Sequence, residues 1–311
     1  MPVSGRRGGG RGSRKLRGVK DTPAPQPEPL PAPVTDSHTH LDTTQEYTGL
    51  AVEELLRRAA EAGVTRTVQI GCDLESSRWA VELAAVEPSV VATVAIHPND
   101  AARLAEAHGR AALDEALRRI EELAADQRPD VVRGVGETGL DFYRTHEGPG
   151  REAQRESFAA HLAIARRNGL TVSIHDRDAH AEVLDVLEAE GVPERFIMHC
   201  FSGDAAVARQ FLDRGAWLSF PGTATFPANE SLREAYDLVP LDRLLVETDA
   251  PFLTPAPRRG WPNAGYLLPH TVRYLAQRRG MDVADFCHVL ERNTHEAYGG
   301  RWPEHAAGSS K

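Results

Sequence analysis

Thr35-Asp36-Ser37-His38-Thr39-His40-Leu41-Asp42 is the stretch on which the reading of this chain turns. Side chains two apart on a strand share a face, so His38 and His40 point together at whatever lies beyond the strand end. A His-x-His pair alone does not demand a metal, because two partly exposed histidines at a loop start look the same. The pattern recurs, however. Gly134-Val135-Gly136-Glu137-Thr138-Gly139-Leu140-Asp141 delivers a carboxylate among three glycines, which strip away side-chain bulk. Val172-Ser173-Ile174-His175, Phe196-Ile197-Met198-His199 and Leu244-Leu245-Val246-Glu247-Thr248-Asp249 each run apolar and then end in a histidine or an acid.

Around these runs the chain alternates regularly. Short apolar segments at 35–40, 66–71, 90–97, 131–137, 170–175, 195–200, 216–220 and 243–248 read as strands. Helical spacing lies between them: Val52, Leu55, Leu56 and Ala59; Val183, Leu184 and Leu187 behind Asp178 as the expected N-cap; Val207, Phe211 and Leu212. Residues 283–298 read as an extra helix after the last strand. Eight βα units predict an α/β fold, a (β/α)8 TIM barrel, whose active site is built from the C-terminal ends of its strands. A doubly wound sheet is the alternative, but its Gly-rich phosphate turn after the first strand is missing.

The 311 residues divide into an expected disordered basic, Pro-rich tail at 1–34, a single barrel domain at 35–300 and a C-terminal tail at 301–311. Residues 1–34 hold seven basic and two acidic residues, a net of +5; the whole chain is −9, which leaves −14 on the other 277 residues. Residues 5–12 are Gly/Arg-rich and six prolines alternate from Pro23 to Pro33, the composition of an extended spacer without a packed core. Arg6-Arg7 is not an export signal, because no apolar run follows it. No segment is long and apolar enough to span a bilayer. Three scattered cysteines, Cys72, Cys200 and Cys287, fit no disulfide framework, and the expected compartment is the cytoplasm. An acidic body repels polyanions, so bound cations would have to offset that repulsion at any nucleic-acid site.

Burying four histidines and two acids at one rim without a cation is costly. His38, His40, Glu137, His175, His199 and Asp249 exceed one four-coordinate site and suit two adjacent divalent ions sharing a carboxylate; Zn2+, Mn2+ and Mg2+ are all open. Taken with Arg177-Asp-Ala179 after His175, His199-Cys-Phe-Ser-Gly203 and Glu247-Thr-Asp249-Ala-Pro251, the motifs resemble the TatD family of metal-dependent deoxyribonucleases, amidohydrolase-like barrels, from about residue 35 to 299. The resemblance implies that His38, His40 and Asp249 hold one ion, that His175 and His199 hold the second, and that Glu137 bridges both. The chain departs from the family at Asn99, where a histidine is common, at His161, where a glutamine is common, and at Arg259-Gly-Trp-Pro-Asn-Ala-Gly265, where an acid is lost.

The expected reaction is hydrolysis of phosphodiester bonds by a metal-activated water, with Asp249 and Glu137 as the catalytic residues and Asp249 accepting the proton. Glu247 and Asp141 are expected to orient ligand histidines. Arg177 and His97 are the expected substrate contacts, Arg144 and Arg259 lesser ones, and Tyr143, Phe226 and Trp261 stand in loops where bases could stack. The resemblance implies a 3′–5′ exodeoxyribonuclease on single-stranded DNA, a monomer or weak oligomer without a membrane partner. The alternative is an amidohydrolase-type ester or amide hydrolase such as an aminoacyl-tRNA deacylase, whose metal centre would look nearly the same. A third reading is a nucleic-acid-binding protein working through its basic tail.

Overall fold

The computed structural model describes residues 20, 22–126, 128, 130–300 and 302. Eight parallel strands pair in chain order: β1 (Val34–Thr39), β2 (Val64–Ile70), β3 (Val90–Val94), β4 (Val132–Asp141), β5 (Thr171–Arg177), β6 (Phe196–Met198), β7 (Trp217–Phe220) and β8 (Leu244–Val246). Eleven helices accompany them among the described residues: α1 (Leu41–Thr48), α2 (Val52–Glu61), α3 (Leu74–Val86), α4 (Pro98–His108), α5 (Arg110–Ala124), α6 (Pro149–Asn168), α7 (His180–Glu190), α8 (Ala205–Leu212), α9 (Glu230–Leu238), α10 (Leu268–Arg279) and α11 (Val283–Tyr298). The barrel expected from the alternation is the fold observed. No described helix is long and apolar enough to cross a membrane.

Helix faces follow the spacing. On α2, Val52, Leu55 and Ala59 are buried while Glu54 pairs with Arg57 and Arg58 outside. On α8 the Asp204 carboxylate accepts from the amides of Ala206 and Val207 and caps the helix. The cap expected for α7 is corrected: Asp178 is exposed, and Ala179 occupies the N-cap without a side-chain bond. Asp176 serves there instead, accepting from Ala179 N at 3.3 Å and facing His180 Nδ1 at 2.6 Å. α11 closes the bottom of the barrel, where Tyr298 donates to Ser37 O at 2.9 Å and packs with Val68, Ile70, Val91, Ile197 and Leu245.

The seam between β8 and β1 is closed largely by side chains. Thr248 donates from N (2.9 Å) and Oγ1 (2.6 Å) to the two oxygens of Asp36, and Ser37 Oγ donates to Val246 O at 2.8 Å. Asp249 N adds a backbone bond to His38 O at 3.0 Å. Burial pushes the Asp36 carboxyl up to about 7 in spite of the Thr248 bonds.

β4 runs four residues beyond the expected end at 137, and its register with β5 shifts between Val135 and Thr138. Glu137 therefore sits in a bulge within the strand, and Asp141 sits at its end. Glycine makes this possible: a Cβ on Gly136 would lie 2.5 Å from Ser173 Cβ, and one on Gly139 (φ +135°) would lie 2.1 Å from His175 O.

The expected tail needs a larger correction. Residues 1–19 and 21 lie outside the described residues, but 22–33 pack on the barrel. Ala24, Leu30 and Ala32 are buried in the main core. Leu30 N donates to Ala62 O, Arg273 donates to Pro29 O at 2.7 Å, and Tyr266 OH donates to Ala24 O at 3.1 Å. Alternating prolines favour extension, and an extended chain still buries the apolar residues set between them. At the other end of the chain, only Trp302 of the tail expected at 301–311 is described, stacked on His295. Leu30→Ala should therefore destabilise the protein by about 2–3 kcal/mol, the cost of a buried leucine. Urea unfolding measures this, and a change within ~0.5 kcal/mol, normal for a surface site, would return these residues to a solvated tail.

Candidate metal centre

The ends of five strands bring His38, His40, Glu137, His175, His199 and Asp249 together at the mouth, and His97, just past β3, joins them. His38, His40, Glu137 and His199 are buried, while His97, His175 and Asp249 are half-buried. Asp249 adopts a left-handed backbone (φ +51°), which an aspartate tolerates better than most residues and which turns the chain at the end of β8.

The Glu137 carboxylate lies at the centre, and its two oxygens face different histidines. Oε2 is 3.6 Å from His38 Nε2 and 3.9 Å from His40 Nε2. Oε1 is 2.5 Å from His175 Nδ1, 2.9 Å from His199 Nε2 and 3.4 Å from His97 Nε2. Asp249 Oδ1 stands on the first side, 3.4 Å from His40 Nε2 and 3.8 Å from His38 Nε2. Three overlapping groups have donor atoms close enough to hold an ion: His38, His40 and Glu137; His38, His199 and Asp249; His97, Glu137 and His175.

Outer partners decide which ring nitrogen is free. His199 Nδ1 lies 3.1 Å from Glu247 Oε1, so Nδ1–H donates outward and the Nε2 lone pair faces Glu137. His175 Nε2 stands 3.4 Å from Asp141 Oδ2, which leaves Nδ1 facing inward. Asn99 Nδ2 donates to the same Asp141 oxygen at 2.7 Å, so the asparagine found where a histidine is common supports the partner of His175. His97 has the opposite arrangement. Its Nδ1 accepts from Asn99 N at 3.1 Å, so in the neutral ring Nε2 carries the proton and acts as a donor toward the centre. His161 is structural: Nε2 accepts from Ile96 N at 3.1 Å, Nδ1 donates to Ser157 O at 2.6 Å, and burial lowers it to about 4.

Cys72 belongs to the site although no motif marked it. Its Sγ lies 3.8 Å from both His40 Nδ1 and Glu137 Oε2. Only its position after β2 could have signalled this. Cys200 is half-buried; burial and the Asp249 and Glu247 charges push its thiol well up, so it is no thiolate nucleophile. Arg177 is exposed and pairs with no acid among the described residues; its guanidinium lies 3.9 Å from the centre of the exposed Tyr143 ring. Arg144 Nε is 3.9 Å from Asp141 Oδ2, and Arg259 lies over Phe226 at 4.3 Å.

The donor set fits divalent cations. Both ring nitrogens of His38 are buried without a hydrogen-bond partner, although the ring is stacked 3.7 Å from that of His199. Orphaned imidazole nitrogens facing carboxylate oxygens suit an ion bound between them. Without a cation, protons take its place. Burial raises Glu137, but His199, His97 and His175 outweigh it and hold the carboxyl well below its ordinary range. Burial lowers His175, but Asp141 and Glu137 outweigh it and raise the ring to about 9.

Below pH 9, then, the metal-free His175 holds a proton that a bound ion must displace. Zn2+ or Mn2+ binding should release protons, with affinity climbing as pH rises toward 9. Titration calorimetry in two buffers of different protonation enthalpy checks this, and buffer-independent heats would contradict it. Glu247→Gln, which weakens the hold on His199 Nδ1, should lower metal affinity by about 10–100-fold by equilibrium dialysis.

A model of the family described as TatD related DNase matches residues 35–299. A Mycobacterium tuberculosis protein described as an uncharacterized metal-dependent hydrolase TatD is 44% identical over 276 residues, 86% of this chain and 99% of that protein. A 3′-5′ ssDNA/RNA exonuclease TatD of Escherichia fergusonii is 34% identical over 254 residues, 79% of this chain and 92% of its own. The crystal structure of YjjV, a TatD homologue from Escherichia coli K12, superposes with a TM-score of 0.74 at 28% identity, covering 84% of this chain and 96% of that one. With the barrel, the histidine–carboxylate rim and these likenesses in agreement, the chain belongs to the TatD family of metal-dependent hydrolases.

Proposed function

We propose that this hydrolase is a 3′–5′ exonuclease that shortens single-stranded DNA at a centre of two divalent ions. The observation that carries the proposal is the two-sided Glu137 carboxylate. One oxygen faces His38 and His40 and the other faces His175 and His199, the disposition a bridging carboxylate requires. In this reading His38, His40 and Asp249 hold one ion, and His175 and His199 hold the other. Such ions, Mg2+, Mn2+ or Zn2+, would acidify water and polarise a phosphate.

The chain's own groups then have distinct tasks. Asp249 accepts the proton from the attacking water, since its half-buried carboxylate lies beside His38 and His40. Glu247 and Asp141 hold the His199 and His175 rings in the binding orientation. His97 Nε2–H is a donor for a phosphate oxygen. Arg177, without an acidic partner among the described residues and stacked on exposed Tyr143, offers a phosphate its guanidinium and a base its ring partner. The 34%-identical relative named a 3′-5′ ssDNA/RNA exonuclease supports this substrate class. A mouth formed by strand ends admits a single strand's terminus more readily than a duplex.

Metal-titrated digestion of single strands labelled at either end tests the reading. The native chain should release mononucleotides from the 3′ end. Asp249→Ala, which removes a proton acceptor, and Glu137→Ala should each lose about 10³-fold or more. Arg177→Ala should raise KM about tenfold or more with kcat little changed. Hydrolysis of small esters without digestion of DNA would favour the ester-hydrolase alternative. Undiminished cleavage in both carboxylate variants would remove the mechanism.

A further inference from the structure

Among the described residues five large apolar side chains are exposed: Val86, Tyr143, Val192, Leu241 and Phe252. They divide by position in the barrel. Val86 ends α3, Val192 follows α7 and Leu241 follows α9, so these three lie on the way from a helix into the next strand, at the end of the barrel away from the metal centre. Tyr143 and Phe252, the two aromatic ones, follow the C-terminal ends of β4 and β8 at the mouth. Each belongs to its own side of Glu137. Tyr143 comes two residues after Asp141, whose Oδ2 is 3.4 Å from His175 Nε2, and His175 faces Oε1 of Glu137. Phe252 comes three residues after Asp249, whose Oδ1 is 3.4 Å from His40 Nε2, and His40 faces Oε2.

The Phe252 ring is exposed, yet its backbone is firmly held. Its N–H donates to Asp249 O at 2.9 Å, closing a turn that keeps the two Cα atoms within about 7 Å of each other. Its carbonyl accepts from Asn263 Nδ2 at 2.7 Å, and the same wholly buried amide donates to Thr248 O at 2.8 Å. Leu253 beside it takes a left-handed backbone (φ +55°) that a leucine rarely adopts, and its carbonyl reaches Gly222, where a Cβ would lie 2.2 Å away. Backbone strain of this kind persists where the surroundings over-determine it, and it gathers at ligand sites. The Tyr47 ring, on the helix that follows His40, lies 6.1 Å from the Phe252 ring at 65° to it. A pinned aromatic ring loses little conformational freedom when a flat ligand settles on it. Tyr143 is placed in a similar way: Phe142 N donates to Arg177 O at 2.9 Å, and the Arg177 guanidinium lies over the Tyr143 ring. A ligand that puts a phosphodiester at the centre and a flat ring on either side of it is a nucleic-acid strand. We propose that Phe252, backed by Tyr47, is a base-stacking platform: it takes the nucleobase on the His38, His40 and Asp249 side of the scissile phosphate, while Tyr143 takes the base on the other side, so the two bases are splayed apart across the centre. This rests on the nuclease reading above and adds to it the two positions at which the strand is gripped by its bases.

The test measures KM for digestion of a short single-stranded DNA, and its affinity by anisotropy, in the full chain and in Phe252→Ala, Phe252→Leu and Phe252→Trp. Three forms of the strand are used: intact, abasic at the 3′-terminal residue, and abasic at the residue before it. Phe252→Ala should raise KM and weaken binding of the intact strand by about 5- to 150-fold, the range for one stacked base. Phe252→Leu, apolar but without a π face, should lose much of the same contact, and Phe252→Trp should keep it. The loss in Phe252→Ala should vanish on one of the two abasic strands, and the loss in Tyr143→Ala on the other. Equal KM and equal affinity in the native, Ala and Leu chains would overturn the platform, as would a loss that persists on both abasic strands, because it would not pass through a base. Failure of the native chain to digest any oligonucleotide would overturn the nuclease reading instead. The same base-dependent loss of affinity in Phe252→Ala would then still uphold the platform.

Discussion

A buried carboxylate that must face imidazoles on both sides is the constraint on which this structure depends. Glu137 is buried, and burial alone would favour its neutral form. The His199, His97 and His175 rings reverse that preference, so the anion survives only while they are held around it. The barrel supplies that hold. Gly136 and Gly139 let β4 approach β5 closely enough for the bulge that turns Glu137 into the mouth. The Asp36–Thr248 bonds close β8 onto β1 and bring Asp249 beside His38 and His40. Glu247, Asp141 and Asn99 fix ring orientation from behind. His199 and His175 thus each have a partner whose task is geometric.

The fold was legible because apolar runs and helical spacing alternate without interruption from residue 35 onward, and because a parallel barrel buries its strands so fully that they read as continuous apolar runs. The six rim residues were legible because each ends such a run. What stayed hidden was set by contacts between distant segments. Nothing local in Asp178 says that Asp176 takes over at the start of α7. Nothing in the proline alternation says that Ala24, Leu30 and Ala32 meet the core, since their partners lie on α2 and α10 and in the turn before α10. Cys72 carries no motif, and its place beside His40 follows only from the register of β1 on β2.

The three departures from the family pattern become understandable in the same terms. Asn99 supports Asp141. His161 bonds the backbone beside His97 and lies against Thr138 beside Glu137, so it braces two rim residues without entering the site. Arg259 to Gly265 lies in the loop whose Gly260 O accepts from Lys20 N and whose Trp261 ring lies under the Lys20 ammonium. The changes leave the ring of imidazoles and carboxylates intact and alter what surrounds it. Charge is organised to match: an acidic body and a rim suited to cations.

The central claim is that a pair of cations sits on either side of Glu137. Anomalous diffraction from crystals of the full chain grown with Mn2+ tests it most directly. Two peaks sharing the Glu137 carboxylate are expected, one against His38, His40 and Asp249 and the other against His175 and His199. A single peak that leaves Glu137 on one side only, or no peak at this rim, would contradict it.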